Sequence, residues 1–346
     1  MTKRVLHLVG SAESDFFADL SRLYAADCLR ETADPALYDH AIAYVAPDSS
    51  WRFPADLSAA AIDAAPPLGL AAAIERIEAM APALMVPQMF CIPGMTLYRS
   101  LFDTLGVPYL GNRGELMALA ADKAKARAIV AAAGVRVPQG ELLGRGELPS
   151  FAPPYVIKPV DADNSSGVSL VRDPAEVEPA IERALGAGTA ALAERYIELG
   201  REVRCGLIVR DGELLALPLE EYGLDAGDHP IRGVADKLSR SDGNGELSLV
   251  AKDAPGVWIV DREDPVTEPV QEAARLCHAA LGCRDHSLFD FRIDRDGMPW
   301  FLEAGLYCSF AHGSVIAAMA RAAGIDTAEL FAIAIAESES RRGVDR

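Results

Sequence analysis

Near the C-terminus the chain reads Ser287-Leu-Phe-Asp-Phe-Arg-Ile-Asp294, then Arg295-Asp296-Gly297, then Met298-Pro-Trp-Phe-Leu-Glu303. An Asp-Gly pair between two apolar runs predicts a tight antiparallel hairpin with a two-residue turn. Arg295 then faces Met298, and the same register sets Asp290 opposite Glu303, Phe291 opposite Leu302 and Ile293 opposite Trp300. Directly opposed residues share a face with Cβ atoms roughly 4.5–5.5 Å apart, so the two carboxylates repel unless a cation neutralises them. A divalent ion is the simplest such cation; the alternative is a pair of charges on a solvated strand face. The aromatic residues on the other side fit a hairpin with one core face and one site face.

At 346 residues the chain is long enough for two or three cores. Half of it is apolar and 24% is charged, the composition of a soluble globular enzyme. A net charge of −18 argues against nucleic acid and anionic lipid as partners, since both repel an acidic surface. The six cysteines form no C-x-x-C pair and have no His at zinc-finger spacing, which reads as reduced thiols in the cytoplasm. The apolar run Val5–Val9 is too short for a signal peptide and reads as a first strand; no stretch reaches the roughly 18 apolar residues of a membrane span.

The pattern divides the chain. In residues 1–112 strands at Val5–Val9, Ala41–Val45, Leu84–Val86 and Val107–Leu110 alternate with helices, as in an open parallel α/β unit whose functional loops, Gly10–Asp15 and Pro87–Met95, lie at strand C-termini. An Ala-rich helix is expected from Glu115 to Ala133, closed by Gly134. Beyond it the pattern changes to paired strands: Tyr155–Val160 with Val168–Val171, Ala191–Ile197, and a hairpin of Val203–Val209 with Glu213–Leu219 around Asp211-Gly212. Leu224–Gly256 is rich in Gly, Asp and Ser, a candidate lid.

Several polar residues interrupt apolar strands. Lys158 ends the Val-Ile-Lys-Pro strand and precedes Asp161-Ala-Asp-Asn-Ser-Ser-Gly167. Such a loop can turn its N–H groups onto phosphate with the lysine beside it, or it can be a plain turn beside a snorkelling lysine. Glu194 ends one strand and Glu202 opens the next, placed either to hold a nucleoside or as surface charges. Lys123 alone reads as a solvated charge. The order Lys123, Lys158, loop, Glu194, Glu202, Asp290, Glu303 is more specific than any member.

That order resembles the ATP-grasp superfamily, and the chain is similar to its D-alanine–D-alanine ligase branch over nearly its whole length. The matching stretches are Tyr109-Leu-Gly-Asn, Ala121-Asp-Lys, Ala133-Gly-Val-Arg-Val-Pro, Val156-Ile-Lys-Pro, Gly200-Arg-Glu, and Asp290 with Glu303. The resemblance implies a three-domain α/β and α+β fold: an N-terminal substrate domain at 1–112, a central ATP-grasp domain at 113–193 and a C-terminal ATP-grasp domain with the metal site at 194–346. It implies ATP and Mg²⁺, with Lys123, Lys158 and Lys237 on phosphates and the loop Asn164, Ser165, Ser166 and Gly167 over them. Glu194 and the backbone of Ile197 would hold adenine, Glu202 ribose, and Asp290 and Glu303 Mg²⁺. Asp15 would meet the first substrate and Ser314 the carboxylate of the second. The family is usually a homodimer acting on small molecules.

Two positions depart from that pattern. Two residues after the second carboxylate the ligases carry Asn, which helps bind a second Mg²⁺, and here stands Gly305. Two residues before the first they carry an Arg that stabilises the transferring group, and here stands Leu288. Ser309 or a backbone carbonyl could replace the Asn. The stretches Leu6-His-Leu-Val-Gly-Ser, Trp51-Arg-Phe-Pro, Pro87-Gln-Met-Phe-Cys-Ile-Pro-Gly-Met and Phe301-Leu-Glu-Ala-Gly-Leu-Tyr-Cys-Ser-Phe resemble the ligase that adds an amino acid such as Ser, Thr, Gly or Ala to mycosporine-glycine. In that reading Gln88, Met89, Phe90 and Met95 line a pocket for a flat ring; otherwise they cap the core. The expected activity is therefore ATP-dependent carbon–nitrogen ligation with a mycosporine-type acceptor. The alternatives are a dipeptide ligase of the D-alanine type and a non-catalytic ATP-binding protein, against which the intact lysines and carboxylates argue.

Overall fold

The computed structural model describes residues 2–162, 165–225, 227, 230–231, 238–240, 247–249 and 256–344. The elements in order are β1 (Lys3–Gly10), α1 (Asp15–Glu31), β2 (Tyr38–Val45), β3 (Trp51–Arg52), α2 (Ala59–Ala64), α3 (Leu70–Met80), β4 (Leu84–Pro87), α4 (Ile92–Met95), α5 (Leu97–Thr104), α6 (Gly114–Ala121) and α7 (Lys123–Ala132). Next come β5 (Gly140–Leu143), β6 (Tyr155–Pro159), β7 (Ser169–Val171), α8 (Val177–Ala187), β8 (Ala191–Arg195), β9 (Arg201–Arg210), β10 (Glu213–Ala216) and β11 (Glu220–Tyr222). The remainder is β12 (Leu238–Arg240), β13 (Leu247–Leu249), β14 (Val257–Ile259), α9 (Thr267–Leu281), β15 (His286–Ile293), β16 (Pro299–Ala304), α10 (Val315–Ala322) and α11 (Thr327–Val344).

The first sheet runs β3-β2-β1-β4, with β2, β1 and β4 parallel. Its central strand is buried without alternation from Val5 to Gly10, as a strand covered on both faces must be. Gly10 closes it at φ +101, where an added Cβ would stand 2.0 Å from the Val45 carbonyl oxygen. The strand expected at Val107–Leu110 is reduced to one parallel bridge, Met85 to Tyr109. The second sheet, β5-β8-β6-β7, is antiparallel and packs its apolar face on α8. The third is six-stranded, β14-β11-β9-β15-β16 with β10 on β9. Asp211 and Gly212 both have positive φ, so β9 and β10 are joined by the expected two-residue turn.

Phe289, Phe291, Ile293 and Phe301 point from the third sheet into a core shared with α6, α7 and α9. On its other face Leu288 and Ile208 meet α10 and α11, which also reach Val5 and Leu84 of the first sheet. The expected boundaries shift accordingly. A cut at 193/194 falls inside β8, which pairs in the second sheet to Arg195, and α6 and α7, expected to go with that sheet, pack on the third.

Two local departures set the site. The single helix expected at 115–133 is broken at Asp122, whose side chain accepts from the N–H groups of Ala124 and Lys125 and caps α7. Lys123 is thereby the first residue of a new helix, with its own N–H on the Val160 carbonyl. The hairpin turn has three residues rather than two: Asp294 pairs with Met298, and Gly297 takes φ +80 in the form of a type I turn followed by a left-handed glycine. That moves Phe291 onto Phe301 and Ile293 onto Pro299, correcting both expected pairs. A bulge at Leu302 moves the register back, so Asp290 still faces Glu303.

Candidate active site

Two cavities meet at Lys123, Asp290 and Glu303, which line both. One, of about 100 Å³, lies between the second and third sheets; the other, of about 170 Å³, lies between the third sheet and α1 and α4 of the N-terminal unit.

In the smaller cavity Lys158 from β6 places Nζ 2.7 Å from Glu194 Oε2 on β8 and 3.4 Å from the Leu302 carbonyl freed by the bulge. Arg127 of α7 stands 3.2 Å from the other Glu194 oxygen. Lys123 donates to the Ala162 carbonyl at 2.6 Å and lies 3.7 Å from Glu303. Glu202, the expected ribose ligand, is held by Arg292 at 2.6 Å, and Arg292 also reaches the Ile197 carbonyl at 3.4 Å and the Pro230 carbonyl at 3.0 Å. This buried pair fixes the wall where Ile197 and Glu202 lie. Of the expected loop, Ser165 lines the cavity at φ +58 and Ser166 is exposed. Gly167 is required at φ +72, with a would-be Cβ 2.9 Å from Ala187. Asn164 and Lys237 lie outside the described residues, as does most of the candidate lid at 224–256, of which the strand pair β12–β13 is described.

The larger cavity has an aromatic wall. Tyr24 packs edge-on against Phe90 at 5.0 Å between ring centroids, and Phe90 against Tyr307 at 6.4 Å. Burial pushes the Tyr24 phenol up to about 12, so it is neutral and can donate. Burial likewise pushes the Cys308 thiol up to about 12, which makes it a poor nucleophile. Leu288 and Gly305 form a polar-free floor, the Gly305 N–H bonding the Leu288 carbonyl at 2.8 Å.

The expected substrate residues divide. Phe90, Met95, Ser309 and Ser314 line the larger cavity, although the Ser314 hydroxyl is occupied in capping α10 and donating to the Ser309 carbonyl at 2.6 Å. Met89 is instead a core residue packed with Leu6 and Phe102. Gln88 is buried behind the wall, its Oε1 3.5 Å from Ser309 Oγ. Asp15 is exposed at the start of α1 and does not line the cavity; Phe17, Leu20 and Tyr24 of that helix do. Sequence reasoning missed Arg127, Arg204 and Arg292. The two strand arginines were signalled by polar residues two apart on otherwise apolar strands, Glu202 with Arg204 and Asp290 with Arg292.

The carboxylate pair suits Mg²⁺. Among the described residues no cluster of three or more His, Cys, Asp or Glu could form an all-protein cage, and Mg²⁺ is commonly held by one or two carboxylates together with substrate phosphates. No helix among the described residues is long and apolar enough to cross a membrane.

Comparison with known proteins agrees with this arrangement. Residues 145–336 match the model of the D-ala D-ala ligase C-terminus. The chain is 31% identical over 245 residues to a D-alanine–D-alanine ligase of Methylobacterium radiotolerans, covering 67% of this chain and 73% of that one. It is 29% identical over 254 residues to the enzyme of Agrobacterium fabrum, covering 70% and 76%. Among solved structures, VanG D-Ala:D-Ser ligase from Enterococcus faecalis superposes with a TM-score of 0.80 at 20% identity, over 98% of this chain and all of that one. A D-alanine–D-alanine ligase from Bacillus anthracis gives 0.75 at 19% identity over the full length of both. The fold is thus the ATP-grasp fold. The chain belongs to the D-alanine–D-alanine ligase family and is an ATP-dependent, ADP-forming carbon–nitrogen ligase that uses Mg²⁺.

Proposed function

We propose that the chain binds ATP in the smaller cavity, transfers its terminal phosphoryl group at the junction to an oxygen of an acceptor in the larger cavity, and joins the acceptor to an amino acid. The observation that carries this is the sharing of Lys123, Asp290 and Glu303 by the two cavities. Groups that line both can hold a phosphoryl group throughout its passage.

Asp290 and Glu303 would hold Mg²⁺, which lowers the charge on the phosphates when bound. Lys123 and Lys158 supply further positive charge, each oriented beforehand by a carboxylate or carbonyl, so little reorganisation remains for the reaction. The acceptor oxygen forms a bond to phosphorus as the bond to ADP breaks. The amine then attacks the activated carbon and phosphate departs with the C–O electron pair. Water must be kept from such an intermediate, and the apolar floor and aromatic wall serve that end.

The relatives support an amino-acid carboxylate as acceptor, in a dipeptide-forming reaction of the D-alanine type. A second reading, a cyclic ketone acceptor of the mycosporine-glycine type, is favoured by the aromatic wall and by Leu288 and Gly305. Phosphate release across a matrix separates them: D-alanine pairs on one side, mycosporine-glycine with serine, threonine, alanine or glycine on the other. Release with D-alanine alone supports the first and release with the ketone alone the second. Silence across the matrix overturns the proposal. The homodimer expected from the resemblance is part of the same proposal, and light scattering at assay concentration tests it.

A further inference from the structure

The floor of the larger cavity lacks a polar side chain at two touching positions. A Cβ on Gly305 would lie 3.8 Å from Leu288 Cδ2, and Leu288 pairs with Gly206 on β9. Negative charge growing on an acceptor oxygen above this floor finds no donor there.

The adjacent strand supplies one. Arg204 pairs with Asp290 in register and so stands diagonal to Leu288 on the same face. Its Nε and Nη2 bind the two Asp290 oxygens at 2.6 and 3.1 Å, and Nη1 makes no hydrogen bond among the described residues. The guanidinium carbon lies 5.4 Å from the centre of the Tyr222 ring. Its side chain is 15% exposed, against 4% for Asp290, and both line the larger cavity. Arg204 lines the larger cavity and not the smaller one, and among the described lining residues it is the one arginine there. Burial disfavours its charge, but Asp290 and Tyr222 outweigh that and hold it protonated.

We propose that Arg204 is a catalytic residue, the guanidinium that meets the reacting oxygen of the acceptor and the phosphoryl group arriving on it. The proposal rests on the larger cavity being the acceptor site. The ligand class it assigns is a tetrahedral phosphate ester or anhydride of a carboxylate or enol, with the ester oxygen toward the acceptor and the non-bridging oxygens within reach of Nη1. As the O–P bond forms and the bond to ADP breaks, charge on those oxygens is met by a planar donor already fixed by Asp290. When the amine attacks, its C–N bond forms and the C–O bond breaks. Arg204 then holds the departing phosphate, which carries away the electron pair, and the amine's proton is lost to phosphate or water.

The test needs no acceptor. Inorganic phosphate is titrated calorimetrically into enzyme saturated with ADP and Mg²⁺, for wild type, Arg204→Leu, Arg204→Lys and Arg204→Leu with Leu288→Arg. Loss of one charge-assisted contact predicts phosphate binding weakened about tenfold or more in Arg204→Leu. ADP affinity should fall by less than phosphate affinity, because Arg204 reaches the nucleotide cavity only through Asp290. Arg204→Lys should recover part of the loss, and Leu288→Arg should restore phosphate binding from the diagonal position. If Arg204→Leu does not fold with Asp290 uncompensated, Arg204→Lys carries the comparison, since a point charge cannot reproduce the fork. Unchanged phosphate affinity in the folded variants, a loss confined to ADP, or no phosphate binding by wild type overturns the assignment. Failure of the ligase reading would show separately, as a silent substrate matrix beside an intact phosphate site.

Discussion

Glu303 illustrates how a single side chain joins the two cavities. It lies 3.7 Å from Lys123 Nζ and opposite Asp290, and it borders both spaces. Glu303→Gln keeps the volume and removes the charge, so turnover should fall about 100-fold or more with little change in melting temperature. A steady-state assay beside a thermal melt checks both, and near-normal turnover would remove Glu303 from the site. At this scale the acidic pair was legible because it breaks an apolar strand pattern. The strand arginines carried a similar signal in their spacing from Glu202 and Asp290, but nothing in the sequence named their partners. Arg127, Arg204 and Arg292 each read as an ordinary charge until a neighbouring strand or helix brings Glu194, Asp290 or Glu202 within ion-pair distance.

Elements matter through their irregularities. The break at Asp122 turns what reads as one Ala-rich helix into two and fixes where Lys123 begins. Asp122→Ala should cost about 1 kcal/mol of stability through loss of the cap. It should also lower turnover more than that cost explains, because Lys123 loses its starting position. Urea unfolding together with kcat distinguishes this from a purely structural cap, which would leave kcat unchanged. The Asp-Gly signal located the hairpin, but one residue of turn length and one bulge were invisible to it. A three-residue turn shifts the ladder by one and Leu302 shifts it back, so the acidic pair was read correctly while Phe291 and Ile293 were not. Periodicity fixes which residues face the core; it carries no signal for compensating insertions. The same limit explains Met89, whose apolar neighbours gave no means of telling pocket wall from core.

At the level of the whole molecule, the parallel first sheet and the paired strands beyond it were legible in the change of pattern after Gly134. Which sheet the helices at 114–132 serve was not, since packing partners are set by tertiary contacts. One consequence concerns acid stability. Burial holds His7 at about 3, His278 at about 4 and His286 at about 3, with His40 adding to the effect at His7 and Arg99 at His286. These rings are neutral when folded and protonate near 6.5 when unfolded, so unfolding takes up protons between those values. Stability on their account is full above pH 6.5 and falls as the pH drops, by about 3–4 kcal/mol per unit near pH 5 for about three protons. Denaturant unfolding from pH 7 to 4.5 measures the slope, and His286→Asn should flatten it by about one proton.

The passage of a phosphoryl group across the junction is most directly tested by isotope transfer. The acceptor identified in the substrate matrix is labelled with ¹⁸O at its reacting oxygen and turned over with ATP and the amino acid, and the released phosphate is analysed by mass spectrometry. Each phosphate should carry one labelled oxygen, with ADP as the other nucleotide product. Unlabelled phosphate, or release of AMP and pyrophosphate, would contradict transfer between the two cavities.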